Sequence, residues 1–269
     1  MLEPIIEVKN LTKTYKAAQK KFRQKTSYIH AVKNINFQVL PGESFGIVGE
    51  SGSGKSTIAH LIMGINKVTE GEIIFRGRNI AQLSRGGERE ICRNLQIVFQ
   101  DPYSSLNPKK SIEWTLTEPL IIHSIGTKAS RKEKVIEVLE EVGLGESYLK
   151  KKPHELSGGQ RQRIAIASAL ILEPEVIVID EGVSALDVSI QASILNLLNE
   201  LKEKHKLTYI FISHDLNVVQ YFCDKIAVVY LGDLIELFQT EEFHQEEHAE
   251  YTKKLFNAIP DVSFTSRTS

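Results

Sequence analysis

The nine-residue stretch GESGSGKST, from Gly49 to Thr57, constrains the fold of this chain more than any other part of its sequence. It follows a short apolar run, FGIVG, and precedes a helical pattern, IAHLIMGI. The segment from Gly49 to Ser56 fits G-x-x-x-x-G-K-S, in which glycines let successive backbone N–H groups point at phosphate oxygens. A strand, a glycine-rich turn and a helix in this order predict a phosphate-binding loop within an α/β fold.

Each part of this loop has a predicted role in holding a nucleoside triphosphate. Lys55 is expected to reach the β and γ phosphates, and the Ser56 hydroxyl to ligate Mg²⁺. The residues predicted to contact ATP here are Gly49, Glu50, Ser51, Gly52, Ser53, Gly54, Lys55, Ser56 and Thr57. A flexible Gly/Ser linker is the alternative, but the flanking strand and helix and the lysine in the last place argue against it.

Short runs of β-branched residues along the chain predict strands that are buried on both faces. They are Phe45 to Gly49, Leu95 to Gln100, Val176 to Asp180, Thr208 to Ser213 and Lys225 to Tyr230. Between the third and fourth, a helix is indicated by Ile190, Ile194, Leu197, Leu198 and Leu201. Strand, helix and strand in succession predict a parallel sheet with crossover connections. EIIFRG, residues 72–77, is expected in a mixed, partly antiparallel region.

A second amphipathic helix is predicted outside this sheet pattern. Ser130 and Glu133 are expected to form its capping box, and Gly143 to end it. One apolar stripe is formed by Val135, Val138, Leu139 and Val142. We therefore expect a small helical subdomain of about residues 103–157 inserted into the sheet domain.

Charged and polar side chains at the ends of two predicted strands indicate hydrolytic chemistry. Asp180 ends the strand VIVID and is placed to hold Mg²⁺ through its water shell, while Glu181 can accept a proton from an attacking water. His214 follows the strand TYIFIS and can hydrogen-bond the γ-phosphate or that water. An exposed strand end and a purely structural histidine are the alternatives.

Composition excludes some classes of partner. The 33 basic and 34 acidic residues give a net charge of −1, so no global positive field is available to hold nucleic acid. Cys92 and Cys223 are far apart, which suits a reducing compartment. No run of about 18 apolar residues occurs, so we expect a soluble, cytosolic chain whose membrane role comes through a partner.

Two other patterns resemble functional motifs, but we expect neither of them to form a functional site. His244, Glu247 and His248 spell H-x-x-E-H, a zinc-protease pattern, but they lie in an acidic tail outside a core helix, and no zinc site is expected. The tract from Lys16 to Lys25 has five basic residues and no acidic one. It is expected to be a solvated loop between strands rather than a contact for lipid or nucleic acid.

The segment LSGGQ, Leu156 to Gln160, resembles the signature motif of ATP-binding cassette (ABC) ATPases. Further marks in the expected order are Tyr15, Gln100, SALD at Ser184 to Asp187, and His214. The resemblance implies an α/β fold with a P-loop NTPase core and mixed sheet, an antiparallel β subdomain and an inserted α-helical signature subdomain. The ABC ATPase domain is then expected over residues 1–240, and a short C-terminal extension over 241–269.

The same resemblance implies roles for particular residues. Tyr15 stacks on adenine, Gln100 contacts Mg²⁺ and the water, and Asp187 couples two subunits. Ser157, Gly158, Gly159 and Gln160 complete the ATP site of a facing subunit, because hydroxyl and N–H groups at a helix N-terminus form a second anion site. The catalytic set is Glu181, His214 and Gln100, and the Mg²⁺ ligands are Ser56, Gln100 and Asp180.

Three further segments resemble the ATPases of the peptide and nickel importers. They are DPYSSLNP at Asp101 to Pro108, KKPHELSGGQ, and HAEYTKKLFNAIP at His248 to Pro260. This resemblance implies a second, related but non-identical ABC ATPase subunit, two membrane permeases, an external substrate-binding protein and no nucleic acid as partner. The resemblance also implies that this chain is a peripheral protein at the cytoplasmic face of the membrane. No cysteine follows Cys223, so no iron–sulfur cluster is expected.

The function expected from all these features is ATP hydrolysis that energises an importer of oligopeptides. An importer of nickel or another metal chelate is the alternative within the class. A soluble ABC ATPase acting on DNA or ribosomes is the alternative from another class, but neither a coiled-coil insertion nor a second cassette is visible. A non-hydrolysing regulatory module would lack Glu181, His214 or Ser157. Gly182 stands where the family usually has proline. A more mobile loop behind Glu181, which would affect the rate of hydrolysis, is one interpretation, and a tolerated small residue is the favoured one.

Overall fold

The computed structural model describes residues 3–16, 28–83, 85–101, 105–182, 187–243 and 247–257. The chain forms two compact units. The first is built from residues 1–83 and 211–269, and the second from residues 84–210. Most of the basic tract and the segment 183–186 lie outside the described residues, as does His244.

The strands, in chain order, are β1 (Ile6–Lys16), β2 (Tyr28–Val39), β3 (Ser44–Val48), β4 (Glu70–Phe75), β5 (Arg78–Asn79), β6 (Leu95–Val98), β7 (Val176–Asp180), β8 (Thr208–Ser213), β9 (Lys225–Tyr230) and β10 (Asp233–Gln239). The helices are α1 (Lys55–Ile62), α2 (Arg85–Asn94), α3 (Ile112–Ile122), α4 (Lys128–Glu141), α5 (Gly158–Leu170), α6 (Val188–His205), α7 (Leu216–Phe222) and α8 (Glu250–Asn257). All five predicted buried strands are confirmed, as β3, β6, β7, β8 and β9.

An antiparallel sheet in the order β2-β1-β4-β5 forms one part of the first unit. Its β4 contains residues 72–75 of the segment 72–77 that was predicted to be partly antiparallel, and Val8 of β1 lies opposite Ile73. The pairing of β1 with β2 shifts register three times, between Val8 and Thr14. Each shift displaces the in-and-out alternation of side chains, so β1 lacks the regular period of two that marks a strand in a sequence.

In the same unit β3 runs parallel to β9, and β9 pairs antiparallel with β10. The rings of Phe37 in β2 and Phe45 in β3 stack with their centroids 4.9 Å apart. Helix α7 packs against β3 at Gly46, where a Cβ would lie 2.6 Å from Val219 Cγ1. Gly46 therefore permits a close approach of helix and strand that a side chain would prevent.

The second unit contains the parallel pair β6 and β7, in which Val98 lies opposite Ile179. The predicted helix between β7 and β8 is confirmed as α6, and its buried residues include Ile194, Leu197, Leu198 and Leu201. The predicted stripe on α4 is also confirmed, because Val135, Val138, Leu139 and Val142 are all buried. The predicted domain bounds, including the inserted helical subdomain of about 103–157, stay predictions.

The predicted capping box of α4 was wrong. Thr127, not Ser130, is the N-cap, and its hydroxyl accepts a hydrogen bond from the Ser130 backbone N–H at 3.3 Å. The Ser130 hydroxyl in turn accepts from the Thr127 backbone N–H at 2.9 Å. Thr127 has the extended backbone that a cap requires (φ −91°, ψ 171°). Ser130 therefore occupies the place that was assigned to Glu133.

Candidate functional site

The predicted phosphate loop connects β3 to α1 in the first unit and curves through glycines. The φ angles of Gly49, Gly52 and Gly54 are 152°, 79° and 111°. Gly54 is the N-cap of α1 and supplies no side-chain hydrogen bond to the first turn. The first N–H groups of the helix therefore have no capping side chain and are suited to an anion.

Close contacts with neighbouring backbone explain two of these glycines. A Cβ on Gly49 would lie 2.1 Å from the carbonyl oxygen of Val229, and one on Gly54 would lie 2.4 Å from that of Ala31. A Cβ on Gly52 would meet nothing within 4 Å, so its positive φ alone favours glycine there. The loop is thus shaped by β2 and β9 as well as by its own sequence.

Lys55 is the first residue of α1, and its side chain folds over the loop. Its ammonium group donates hydrogen bonds to the carbonyl oxygens of Gly49 at 2.8 Å and of Glu50 at 2.9 Å. The residue is only 4% exposed. The structure therefore places one positive charge inside the loop, where it adds to the field of the helix N-terminus.

The other polar residues of the loop differ in exposure. Ser56 and Ser51 are exposed, Thr57 is half-buried and Ser53 is buried. The Ser53 carbonyl oxygen accepts a hydrogen bond from the Gly232 backbone N–H at 2.8 Å, which ties the loop to the turn between β9 and β10. The exposed Ser56 hydroxyl lies on the first turn of α1, as expected for a ligand of a phosphate-bound cation.

Tyr15 lies near the end of β1, also in the first unit, with 37% of its surface exposed. Its hydroxyl accepts a hydrogen bond from Asn66 Nδ2 at 3.2 Å, and the Lys13 ammonium lies 4.9 Å from its ring centroid. A fixed aromatic ring that is open to solvent suits stacking on a base.

His214 is exposed and follows β8 directly. The next residue, Asp215, is the N-cap of α7 and accepts hydrogen bonds from the backbone N–H groups of Asn217 at 3.0 Å and Val218 at 3.4 Å. This cap fixes the direction of the chain on the carboxyl side of His214.

The second unit brings Gln100 and Glu181 together. Gln100 Nε2 donates to Glu181 Oε2 at 2.7 Å. The parallel register of β6 and β7 explains this contact, because residues 100 and 181 each follow the matched pair Val98 and Ile179 by two positions. Asp180, the last residue of β7, is 6% exposed. Glu181 itself has a φ of 50°, an uncommon left-handed conformation for a residue other than glycine.

Gly182 packs against a residue that the sequence did not single out. A Cβ at position 182 would lie 2.9 Å from Gln162 Nε2 and 3.1 Å from Ile179 Cγ2. Gln162 is 1% exposed, and its two amide atoms have no hydrogen-bond partner among the described residues. Gly182 therefore has a packing role next to Glu181, and its effect on the mobility of this loop stays a prediction.

The signature segment begins α5 in the second unit. Ser157 is the N-cap, and its hydroxyl accepts from the Gln160 backbone N–H at 3.3 Å. Gln160 Oε1 accepts from the Ser157 backbone N–H at 3.0 Å, and Gln160 Nε2 donates to the Tyr148 hydroxyl at 2.9 Å. Both ends of the Gln160 amide thus have protein partners, whereas the Ser157 hydroxyl keeps its proton available for donation.

The remaining signature residues, with Asp187, complete the predicted set in the second unit. A Cβ on Gly159 would lie 2.8 Å from Ile190 Cγ2, so this glycine lets α5 approach α6. Ser157 and Gly158 are exposed. Asp187 is the exposed N-cap of α6, but its side chain makes no capping hydrogen bond. Sequence reasoning did not single out Tyr148, because its contact with Gln160 depends on how the chain folds before α5.

No described group of three or more His, Cys, Asp or Glu side chains is placed to hold a metal ion. His248, part of the H-x-x-E-H pattern, instead pairs with Glu236, with Nδ1 and Oε1 2.9 Å apart. Within the described ranges, no helix has the length and apolar character needed to cross a bilayer.

Comparison with known proteins identifies the family to which this chain is similar. Residues 32–184 match the ABC transporter family. The oligopeptide transport ATP-binding protein AppF of Bacillus subtilis (strain 168) is 46% identical over 259 residues, covering 96% of this chain and 79% of that protein. The glutathione import ATP-binding protein GsiA of Salmonella paratyphi A is 43% identical over 258 residues, covering 96% of this chain and 41% of that protein.

The fold has a solved counterpart in the dimeric post-hydrolysis state of the ATP-binding cassette MJ0796 bound to ADP and Pi. The TM-score is 0.76 at 33% identity, over 87% of this chain and 98% of that one. The fold and the loop motifs together define a P-loop nucleotide hydrolase of the α/β class.

This chain belongs to the ABC transporter family. It is an ATP-binding, ATP-hydrolysing subunit of a transport system, as predicted from its motifs.

Proposed function

We propose that this chain energises the import of oligopeptides. The observation that carries the proposal is the 46% identity to an oligopeptide transport ATP-binding protein over 96% of the chain. GsiA, a second relative at 43% identity, is named for import of glutathione, which is itself a tripeptide. No observation favours nickel, DNA or ribosomes as the alternative substrate or partner.

The residues of the first unit are proposed to bind ATP. The backbone N–H groups of the loop and the Lys55 ammonium hold the phosphates, while the exposed ring of Tyr15 stacks on adenine. His214 donates a hydrogen bond to the γ-phosphate or positions the water. The curvature at Gly49 and Gly54 supports this role, because it opens the N-terminus of α1 to an anion.

The residues of the second unit are proposed to supply the hydrolytic chemistry. The water oxygen forms a bond to the γ-phosphorus while the bond from that phosphorus to the β–γ bridging oxygen breaks, giving ADP and phosphate. Glu181 accepts the proton of the water, and the 2.7 Å hydrogen bond from Gln100 orients the Glu181 carboxylate for this task.

Mg²⁺ is the cation that the donor set fits, because a hydroxyl, a carboxylate and an amide oxygen are hard oxygen ligands. We assign these ligands, as the motifs predict, to Ser56, Asp180 and Gln100. When bound, the cation neutralises charge that develops on the phosphate oxygens.

A second cassette subunit is proposed to complete the ATP site. Ser157 and the N-terminus of α5 offer a hydroxyl and N–H groups to the ATP of the facing subunit, and Asp187 couples the two subunits. A shift of such a pair of subunits from about 1:99 to about 99:1, closed to open, requires about 5.5 kcal/mol of differential binding. Several charge-assisted contacts to γ-phosphates can supply this free energy. The dimeric state of a related cassette supports this arrangement.

Two permeases and an external binding protein are the other proposed partners. The chain then lies at the cytoplasmic face of the membrane, attached through the permeases. The helical segment of about 103–157, which includes α3 and α4, is proposed to contact them.

The test is to purify the chain with its membrane partners in lipid vesicles and to measure phosphate release. Binding protein loaded with an oligopeptide should stimulate ATP hydrolysis, whereas empty or nickel-loaded binding protein should not. Stimulation by nickel alone would transfer the assignment to a metal importer. Co-purification with ribosomes or DNA, and with no membrane subunit, would overturn the importer assignment.

A further inference from the structure

The side chain that caps the signature serine is itself held by a tyrosine from the turn ahead of it. Gln160 Oε1 accepts a hydrogen bond from the Ser157 backbone N–H at 3.0 Å, and Gln160 Nε2 donates to the Tyr148 hydroxyl at 2.9 Å. A backbone N–H can only donate, so it fixes which end of the amide faces Ser157 and directs the other end to Tyr148. The three residues therefore form one chain of hydrogen bonds that ends at the start of α5.

Ser157 is the member of this chain that can reach a ligand outside the subunit. It is exposed, and its hydroxyl oxygen accepts from the Gln160 backbone N–H at 3.3 Å. Because that bond uses a lone pair, the hydroxyl proton stays available for an anion. Gln160 is half-buried, and both ends of its amide have partners within the chain. Gln160 thus acts on a facing nucleotide through Ser157.

Tyr148 lies at the start of a turn whose position does not depend on the tyrosine hydroxyl. The Ile112 backbone N–H, at the start of α3, donates to the Lys151 carbonyl oxygen at 2.9 Å. The Glu113 backbone N–H donates to the carbonyl oxygen of the buried Leu149 at 3.0 Å. These bonds satisfy two N–H groups that a helix leaves without a partner at its N-terminus. The Lys151 ammonium also lies 3.9 Å from the centroid of the Tyr148 ring. Loss of the hydroxyl alone should therefore leave the turn and the ring in place.

We propose that Tyr148 is a positioning residue for Ser157 in the ATP site between two subunits. The inference rests on the proposed function, in which Ser157 donates to the γ-phosphate held by a facing subunit. The Tyr148 hydroxyl holds the Gln160 amide, and the amide holds the Ser157 backbone N–H. The serine hydroxyl is then oriented before the phosphate arrives, which is the condition under which a donor contributes most to the transition state. Tyr148 itself does not touch the nucleotide.

The first test measures hydrogen exchange in the full-length chain with Tyr148→Phe, which removes the hydroxyl and keeps the ring. The Gln160 amide then loses one of its two partners and holds the Ser157 N–H less well. Exchange at the Ser157 N–H should become about 3- to 10-fold faster, the range for one hydrogen bond. Exchange at Ile112 and Glu113 should stay unchanged, because their acceptors are backbone carbonyl oxygens.

The second test measures ATP turnover by the importer complex. With Tyr148→Phe, kcat should fall about 3- to 10-fold, because one hydrogen bond that orients Ser157 is lost. The isolated chain should keep its Kd for a fluorescent ATP analogue, because the phosphate loop belongs to the first unit and Tyr148 to the second. Unchanged kcat, or wild-type exchange at the Ser157 N–H, would overturn the proposal.

Tyr209→Phe is the matched control, because it removes another hydroxyl of the second unit. The buried Tyr209 hydroxyl donates to the Leu198 carbonyl oxygen at 3.2 Å and has no part in the signature contacts. This variant should lower the melting temperature and leave kcat and the exchange of Ser157 unchanged. Equal losses of kcat in the two variants would overturn the proposal, because that result indicates general destabilisation.

A double variant tests whether Tyr148 acts through Ser157. Ser157→Gly removes the serine hydroxyl, and glycine is still accepted at a helix N-cap. Turnover with both changes should fall no further than with Ser157→Gly alone, whereas additive losses would contradict a role exerted through the serine. If Ser157→Gly lowers turnover and Tyr148→Phe does not, this inference fails and the proposed function stands. If Ser157→Gly leaves turnover unchanged, the proposed site between two subunits fails, and this inference fails with it.

Discussion

Glu181 combines an uncommon backbone conformation with a central chemical role in the proposed reaction. Its φ of 50° costs about 1 kcal/mol for a residue with a side chain, so its surroundings must hold it there. The buried strand β7 precedes it, and the side chain of Gln100 bonds its carboxylate at 2.7 Å. The conformation directs the carboxylate toward the partner that the parallel register supplies.

Replacement of Glu181 by Gln should abolish turnover and preserve ATP binding. The amide has the shape of the carboxylate but cannot accept a proton from water, so phosphate release should fall at least about 100-fold. A phosphate-release assay and titration with a fluorescent ATP analogue measure the two effects. Full activity in this variant would contradict the role of general base.

Gln162 is the residue for which the structure makes the sharpest stability prediction. Its buried amide has no hydrogen-bond partner in the described part of the chain, so replacement by Met should raise the free energy of unfolding by about 1 to 2 kcal/mol. Urea unfolding measures this change.

Gln160→Met, on the same helix, is the control with the opposite expected sign. It removes the hydrogen bonds to the Ser157 N–H and the Tyr148 hydroxyl and should lower the free energy of unfolding. If Gln162→Met destabilises the chain by a similar amount, the Gln162 amide has a partner in solution.

At the scale of elements, the end of α4 is tied to the end of α6 by a buried carboxylate. Glu141 has a side chain 7% exposed, and it lies 3.0 Å from Lys204 Nζ and 2.7 Å from His205 Nε2. Burial alone would raise the pKa of Glu141, but the hydrogen bonds and charges of Lys204 and His205 outweigh it and lower the pKa. The ionised carboxylate therefore stabilises the folded state.

The pH dependence of stability follows from this direction. The contribution of Glu141 is fully present above its ordinary unfolded pKa and is lost as the pH falls through its lower folded value. At pH 7, Glu141→Gln should cost about 1 to 2 kcal/mol of unfolding free energy, and the difference from wild type should shrink as the pH falls below about 4. Urea unfolding across this range measures it. A difference independent of pH would show that ionisation of Glu141 is not the cause.

The elements that sequence predicted well are those whose signal is local and continuous. The strands β3, β7, β8 and β9 are short apolar runs buried on both faces, β6 is a shorter run in which Gln96 and Ile97 are half-buried, and α6 has a regular apolar stripe. The bulged pairing of β1 with β2 was harder, because each shift resets the alternation of side chains. The cap of α4 was misplaced by three residues, since Thr127 and Ser130 are both good caps and only the backbone conformation distinguishes them.

The same distinction applies to the candidate site, where some residues have a local sequence signal and others do not. The glycines, Lys55 and the Asp180–Glu181 pair follow from spacing and strand ends alone. The contacts of Gln162 with Gly182 and of Tyr148 with Gln160 join segments far apart in sequence, and neither pair has a local pattern. Near the end of the chain, the H-x-x-E-H pattern could be recognised in the sequence. The pairing of His248 with Glu236 could not, because it depends on how β10 packs against that segment.

At the scale of the whole molecule, the proposed function requires a second subunit. Ser157→Arg should prevent the approach of a partner's γ-phosphate, because a bulky side chain replaces the exposed hydroxyl at the start of α5. In the importer complex we expect ATP turnover to fall at least about ten-fold, while the isolated chain keeps its Kd for the ATP analogue.

The conservative change Ser157→Thr is the companion of that variant. Threonine keeps both the hydroxyl and the ability to cap α5, so the complex should retain most of its turnover. Equal loss of turnover in both variants would indicate damage to α5 itself. Normal turnover of the complex with Ser157→Arg would contradict a role for the signature serine across the subunit boundary.

The packing of Phe256 against His248 and Phe243 bears on how shortened forms of this protein should be interpreted. A truncation ahead of Phe256 that is chosen to trim an apparently dispensable terminus removes the ring that packs against the buried His248 and its hydrogen-bond partner Glu236. Such a shortened chain should therefore unfold more easily than the intact one, and a change in its activity would not by itself show that the missing residues act in catalysis.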